Sequence, residues 1–127
     1  MPEAGGAGAA GSAKRSLSAE RRDGVLIVRV RAKTVHAVEA EQLVATVFDP
    51  AAVPTRHVLL DLTGVHQLAS AAVSALWRVN EQRTLRIIGM EPAVEKTLTA
   101  MGILRHLQRA TTEAEALAAF GVAPAAK

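Results

Sequence analysis

One stretch constrains the fold more than any other: residues 57–80, HVLLDLTGVHQLASAAVSALWRVN. Its first part is an apolar run interrupted only by Asp61 and ended by a Thr-Gly pair, as expected for a strand that is covered on both faces. Further along, apolar residues recur every three or four positions, which is the spacing of one helix face. The stretch therefore predicts a buried strand, a turn and a helix whose first residue is Ser70.

The rest of the chain alternates between strand and helix patterns, and Asp23-Gly24 is a hairpin turn signal. We expect strands at residues 16–22, 25–31, 57–62, 85–90 and 103–110, and helices at residues 38–49, 70–80, 92–101 and 112–120. The order β-β-α-β-α-β-α-β-α implies an α/β fold. Its sheet would be mixed but mostly parallel, with about five strands and four helices joined by right-handed crossovers.

Local signals mark two helix ends. Pro50 and Pro54 end the first helix and begin a loop, because proline cannot continue a helix. Residues Thr112 to Glu115 have the form of a capping box, so we expect Thr112 to begin the last helix and Gly121 to close it.

The length of 127 residues fits one domain, which we place at residues 16–121. Residues 1–15 are rich in glycine and alanine and are expected to be disordered, and residues 122–127 are expected to be a short flexible tail. Half of the residues are hydrophobic, but no run approaches the roughly 20 apolar residues of a membrane span. The first residues also lack a secretory signal, so we expect a cytoplasmic protein.

Composition argues against several classes of ligand. The net charge is +3, but aromatic residues are 2% and tyrosine is absent, so the chain lacks the basic, aromatic surface typical of nucleic-acid binding. There is no cysteine, and the four histidines lack metal-binding spacing. No phosphate-binding glycine motif occurs. We therefore expect no metal, cofactor or nucleic acid.

A catalytic triad can be assembled from Ser70, His66 and Asp61, since a serine at a strand-to-helix turn is typical of a nucleophile elbow. The elbow also needs flanking glycines, and Leu68 and Ala72 stand at those positions. We therefore expect no enzymatic activity. Asp61 is expected to form hydrogen bonds near the end of its strand, and His66 to be a loop histidine.

Two interpretations of Ser70 remain open from the residues alone. Serine is a favoured N-cap, whose oxygen accepts a hydrogen bond from the first helical turn and contributes about 1 kcal/mol. A serine at a helix start is also a good phosphoacceptor, because the helix amides and dipole stabilise added negative charge.

Five phrases of the sequence, in this order and spacing, resemble the STAS domain family of bacterial anti-sigma factor antagonists. They are DGVLIVRV, HVLLDLTGV, LRIIGMEPAVEKTL, MGILRHL and TTEAEAL, and the resemblance covers residues 16–120. It implies a regulatory protein that binds an anti-sigma factor, often also a serine kinase, and releases it when phosphorylated. A serine phosphatase is implied as a second partner.

The family motif is Asp-Ser-(Ser/Thr)-Gly at the start of the second helix, and here it reads Ala69-Ser70-Ala71-Ala72. The resemblance implies phosphorylation at Ser70. The implied partner-binding residues are Thr34, Val35, His36, Gln67, Leu68, Ala69, Ser70, Ala71, Val73 and Ser74. Alanine replaces the motif's aspartate and glycine, and Thr34-Val35-His36 replaces an acidic phrase. The alternative is a constitutive scaffold or subunit of a stressosome-like or transporter-associated complex, without phosphorylation.

Overall fold

In the computed structural model, which describes residues 17–49 and 56–121, strands and helices alternate along the chain. The strands are β1 Leu17–Arg22, β2 Val25–Val30, β3 Thr34–Val35, β4 His57–Asp61, β5 Gln67–Leu68, β6 Thr84–Ile88 and β7 Gln108–Arg109. The helices are α1 Ala37–Val47, α2 Ser70–Gln82, α3 Pro92–Ala100 and α4 Glu113–Ala119. A short 3-10 helix, Leu104–His106, precedes β7.

The main sheet has five strands in the order β1-β2-β4-β6-β7. The β1-β2 pair is antiparallel and every other neighbouring pair is parallel. The hairpin turns at Asp23 (φ 52°) and Gly24 (φ 83°), as the sequence predicts. The mixed, mostly parallel sheet with four helices confirms the predicted fold class.

The central strands are buried on both faces because helices cover both sides of the sheet. Leu26, Val28 and Leu60 belong to a large apolar cluster with α1, α2 and α3. Ile27 and Leu59 point the other way and belong to a smaller cluster with α4. The alternation along β2 and β4 thus fixes α1 and α2 on one face and α4 on the other.

The structure differs from the sequence prediction in two places. The expected edge strand at residues 103–110 is wrong over most of its length, since only Gln108–Arg109 pairs with β6. After α3 the chain turns at Gly102 (φ 75°), and the amide of Ile103 donates to the carbonyl of Leu98 at 3.1 Å. The chain then enters the 3-10 helix directly after Ile103, so few residues are left to form the strand. The second difference is the β3-β5 pair, which the sequence analysis does not predict.

The ends of the last helix follow the sequence signals closely. The Oγ1 of Thr112 accepts from the amide of Glu115 at 3.1 Å, while the Glu115 carboxylate accepts from the amide of Thr111. Gly121 follows with a φ of 88°. None of the helices in the described part of the chain is long and apolar enough to cross a membrane. The predicted tails, Pro50 and Pro54 lie outside the described residues.

Candidate functional site

A small parallel ribbon, β3 with β5, joins the segments that lead into α1 and α2. The carbonyl of Lys33 accepts from the amides of His66 (2.7 Å) and Gln67 (3.1 Å). The carbonyl of Val35 accepts from the amide of Ala69 at 2.9 Å. These backbone bonds hold the starts of the two helices beside each other, at the carboxyl ends of β2 and β4.

The predicted partner-binding residues lie on this ribbon or at the starts of α1 and α2. Exposed members are His36, Gln67, Ser70, Ala71 and Ser74; Thr34, Leu68 and Ala69 are half-buried; Val35 and Val73 are buried. The Thr34 hydroxyl donates to the Gln67 side chain at 3.2 Å, which adds a side-chain link between β3 and β5. The exposed members therefore lie around the starts of the two helices, and the two valines are part of the core beneath them.

Ser70 is the first residue of α2, as the sequence predicts, but its interpretation as an N-cap is wrong. The cap is Ala69, which has no side-chain oxygen. The Ala69 carbonyl accepts from the amides of Ala72 and Val73 at 2.9 and 3.2 Å, while its own amide is held by the ribbon. This anchoring places the cap at Ala69, one residue before Ser70. The Ser70 hydroxyl is exposed and makes no hydrogen bond to any described residue.

Replacing Ser70 by alanine should therefore cost little stability. We expect Ser70→Ala to lower the free energy of unfolding by less than about 0.5 kcal/mol, as for an exposed residue without partners. Thr112→Ala is the matched control, because its hydroxyl does cap a helix and its loss should cost about 1 kcal/mol. Urea denaturation of the two variants measures both values. A larger loss for Ser70→Ala than for Thr112→Ala would show that Ser70 stabilises the start of α2.

The starts of α1 and α2 differ in charge. The amide of His36, the cap of α1, donates to the Glu39 carboxylate at 2.9 Å, so an acidic group stabilises that helix start. The first turn of α2 contains no acidic residue. A negative charge added at Ser70 would thus meet the positive end of the α2 dipole without a carboxylate in the same turn.

The three residues of the possible catalytic triad do not form one. Asp61 Oδ1 accepts from the amide and hydroxyl of Thr63 at 2.9 and 2.6 Å, and Oδ2 lies 3.4 Å from Arg29. This confirms the expected local role of Asp61. His66 is an exposed loop residue, also as expected. Within the described ranges, no group of three or more potential ligand side chains is placed to hold a metal ion.

An ion-pair network on the α4 face of the sheet was not predicted from the sequence. Arg29 contacts Glu113 at 2.9 Å, Asp61 at 3.4 Å and Glu20 at 3.4 Å. The hydrogen bond to Glu113 raises the pKa of Arg29 above its ordinary value, and partial burial opposes that rise. The network fastens the first turn of α4 to the β1-β2 hairpin. It lies on the opposite face of the sheet from α1 and α2.

The chain is similar to known proteins in both sequence pattern and fold. Residues 16–116 match the family model of the STAS domain. Among solved structures, the chain is similar to an anti-sigma factor antagonist from Mycobacterium paratuberculosis, with 21% identity and a TM-score of 0.65 over 81% of this chain and 91% of that one. It is also similar to a sulfate transporter family protein from Wolinella succinogenes, with 19% identity and a TM-score of 0.64 over 77% and 85%.

A third similar structure is the anti-sigma factor antagonist SpoIIAA in its unphosphorylated form. It has 17% identity and a TM-score of 0.65, over 85% of this chain and 99% of that one. No curated protein matches the chain. At these identities the solved structures establish the fold, and the family model establishes the family.

Proposed function

This chain belongs to the STAS domain family, and we propose that it is a non-enzymatic, cytoplasmic regulator that binds an anti-sigma factor with serine kinase activity. Phosphorylation of Ser70 would switch this binding off. The observation that carries the proposal is the hydroxyl of Ser70, the first residue of α2: it is exposed, it has no hydrogen bond to a described residue, and it lies beside the ribbon that joins the two helix starts. The likeness of the fold to anti-sigma factor antagonists supports it.

The surface around Ser70 suits close approach by another protein. Ala69 and Ala71 flank the hydroxyl with short side chains, so little stands between the backbone and a partner. His36 and Gln67 supply exposed polar groups beside it. The backbone ribbon holds these residues in place, which lowers the entropy lost when a partner binds.

Phosphorylation would change the charge at the centre of this surface. A phosphate adds nearly two negative charges at neutral pH. The amino end of α2 stabilises those charges in the free protein. In a complex the same charges would be removed from water against a partner surface shaped for a neutral hydroxyl, so the phosphorylated form should bind weakly.

Incubation with the cognate anti-sigma kinase and ATP tests the modification. The kinase should transfer the γ-phosphoryl group of ATP to Ser70 Oγ, with release of ADP and the hydroxyl proton. Peptide mapping by mass spectrometry should find phosphate on Ser70 and not on Thr34 or Thr112. Ser70→Ala should remain unlabelled under the same conditions. Labelling at another residue, or equal labelling of Ser70→Ala, would refute phosphorylation at Ser70.

A second function is favoured by one residue. Ala69 stands where the family motif has an aspartate, so no carboxylate precedes the acceptor serine. A chain that binds its partner permanently has no need of that carboxylate. The likeness to a sulfate transporter family protein also fits this alternative, a constitutive subunit of a transporter-associated or stressosome-like complex. Under this alternative, Ser70 is never phosphorylated and changes at Ser70 leave assembly intact.

A further inference from the structure

A groove of about 400 Å³ runs between α1 and α2. It begins beside the first turns of both helices, at Ala37 and Ala71, and reaches Ala45 on α1 and Arg78 on α2. Ala71 follows Ser70 directly, so the groove starts at the proposed phosphorylation site. The sequence analysis does not identify it, because its two walls come from helices that are about thirty residues apart in the chain.

The walls of the groove are short and mostly apolar. Alanine supplies five of its lining residues, Ala37, Ala40, Ala45, Ala71 and Ala75. Between positions 37 and 45, α1 rises about 12 Å, slightly more than two helical turns. Because alanine side chains scarcely protrude, the groove has room for larger apolar side chains of a bound segment.

The polar groups of the lining favour a helix as the bound segment. Among the described lining residues, only Glu41, Ser74 and Arg78 contribute polar side chains. An extended peptide would leave its backbone amides and carbonyls without partners against the alanines, whereas a helix satisfies its own backbone groups. An apolar helix face is therefore the better match for this lining.

The charged residues on the two walls indicate which charges a bound segment would carry. Glu41 on α1 and Arg78 on α2 are both exposed, and neither forms an ion pair with any described residue. The Arg78 guanidinium lies 5.8 Å from the ring centre of Phe48, which limits its freedom. Val38, in the first turn of α1, is 61% exposed and lies on the same helix stripe as Ala45, seven residues later. Among the described residues, the groove thus has one exposed apolar side chain near its end and one exposed charge of each sign without an ion-pair partner.

We propose that this groove binds an amphipathic helix of the anti-sigma partner. The apolar stripe of that helix packs on the alanines, a basic side chain faces Glu41, and an acidic side chain faces Arg78. This inference rests on the proposed function and specifies the partner's contact. It also places Ser70 at one end of the bound helix, where a phosphate would contact both the partner and the amino end of α2.

Photocrosslinking of the full chain in its native host tests the contact. A benzophenone amino acid is placed at Ala45 in the groove, at Gln67 on the ribbon, or at Ala118, an exposed residue of α4 on the other face of the sheet. Ala45 and Gln67 should both crosslink to the same ATP-binding anti-sigma factor, and the peptide joined to Ala45 should be an amphipathic helix with a basic residue in its polar face. Ala118 should give only background.

The other outcomes separate the two proposals. Crosslinking from Gln67 but not from Ala45 would overturn the groove contact and leave the proposed function standing. Crosslinks from Ala45 to a second copy of the chain, to its own residues 1–16 or to lipid would also overturn it. No crosslink from either position would overturn both proposals.

Affinity measurements with the partner identified in this way give a second test. Ala45→Lys should weaken binding about tenfold, because it puts a long charged side chain into the groove. The new lysine follows Glu41 by four residues, a spacing that stabilises the helix, so the loss would not come from unfolding. Ala118→Lys is the matched control and should leave affinity unchanged. Equal affinities for the two variants would overturn the groove contact.

Discussion

Gly89→Ala should lower the free energy of unfolding by about 3 kcal/mol or more. Gly89 has a φ of 72°, a conformation that strains any residue with a Cβ atom. A Cβ added there would also overlap Thr63 Oγ1, and it would lie 2.8 Å from the Thr63 amide nitrogen and 2.9 Å from Asp61 Oδ1. These atoms cannot move apart easily, because the amide of Leu62 donates to the carbonyl of Ile88 at 2.9 Å and joins the two segments.

Gly64→Ala is the matched control for this variant. Gly64 has a φ of 88°, but no neighbouring atom lies within 4 Å of its added Cβ. The free energy of unfolding of Gly64→Ala should therefore fall only by the cost of the backbone strain, about 1–2 kcal/mol. Urea denaturation of both variants gives the difference, which isolates the contact with Thr63 and Asp61. Equal losses of unfolding free energy would show that the contact adds no cost, because the turn after β4 moves to make room for the Cβ atom.

Much of the fold follows from short-range signals. Short apolar runs identify β2 and β4 as strands buried on both sides. Asp23-Gly24 and Thr112 specify a turn and a cap through their own backbone or side-chain chemistry. Each of these signals acts within a few residues, so it can be recognised without knowledge of the tertiary structure.

The ribbon could not be predicted in the same way. Its two strands have two residues each, too short to show any periodicity. Its bonds are made by the backbone carbonyls of Lys33 and Val35, which every residue type provides. The pairing exists because the main sheet brings the segments after β2 and β4 side by side. Only the tertiary structure contains that information.

Ser70 lies one residue after the N-cap of α2, so its hydroxyl does not cap the helix. The sequence predicts the start of α2 correctly, and both Ala69 and Ser70 are compatible with that start. Serine is the better cap by intrinsic preference, but the bond from the Ala69 amide to Val35 fixes the cap at the alanine. Tertiary contact overrides local preference here, and it leaves the serine hydroxyl without a hydrogen bond to the described part of the chain.

The Ser70 hydroxyl leads to the prediction with the largest effect on function. Ser70→Asp should weaken binding of the anti-sigma partner about a hundredfold, because a carboxylate would be removed from water in the complex without a compensating charge. An aspartate in the first turn of a helix is favourable, so α2 itself should be slightly stabilised. A weaker complex together with an unchanged or higher melting temperature would therefore locate the effect at the interface. Titration calorimetry and thermal unfolding measure the two quantities.

Ser70→Asn separates charge from shape in this experiment, since asparagine has nearly the size of aspartate and no charge. It should bind within a few-fold of the unmodified chain if repulsion and desolvation of the negative charge cause the release. Equal weakening of both variants would indicate that any side chain larger than serine is excluded, so the surface would be tight but not charge-sensitive. Unchanged affinity of Ser70→Asp would instead favour the constitutive subunit, because a surface that tolerates a carboxylate at this position cannot be switched by a phosphate there.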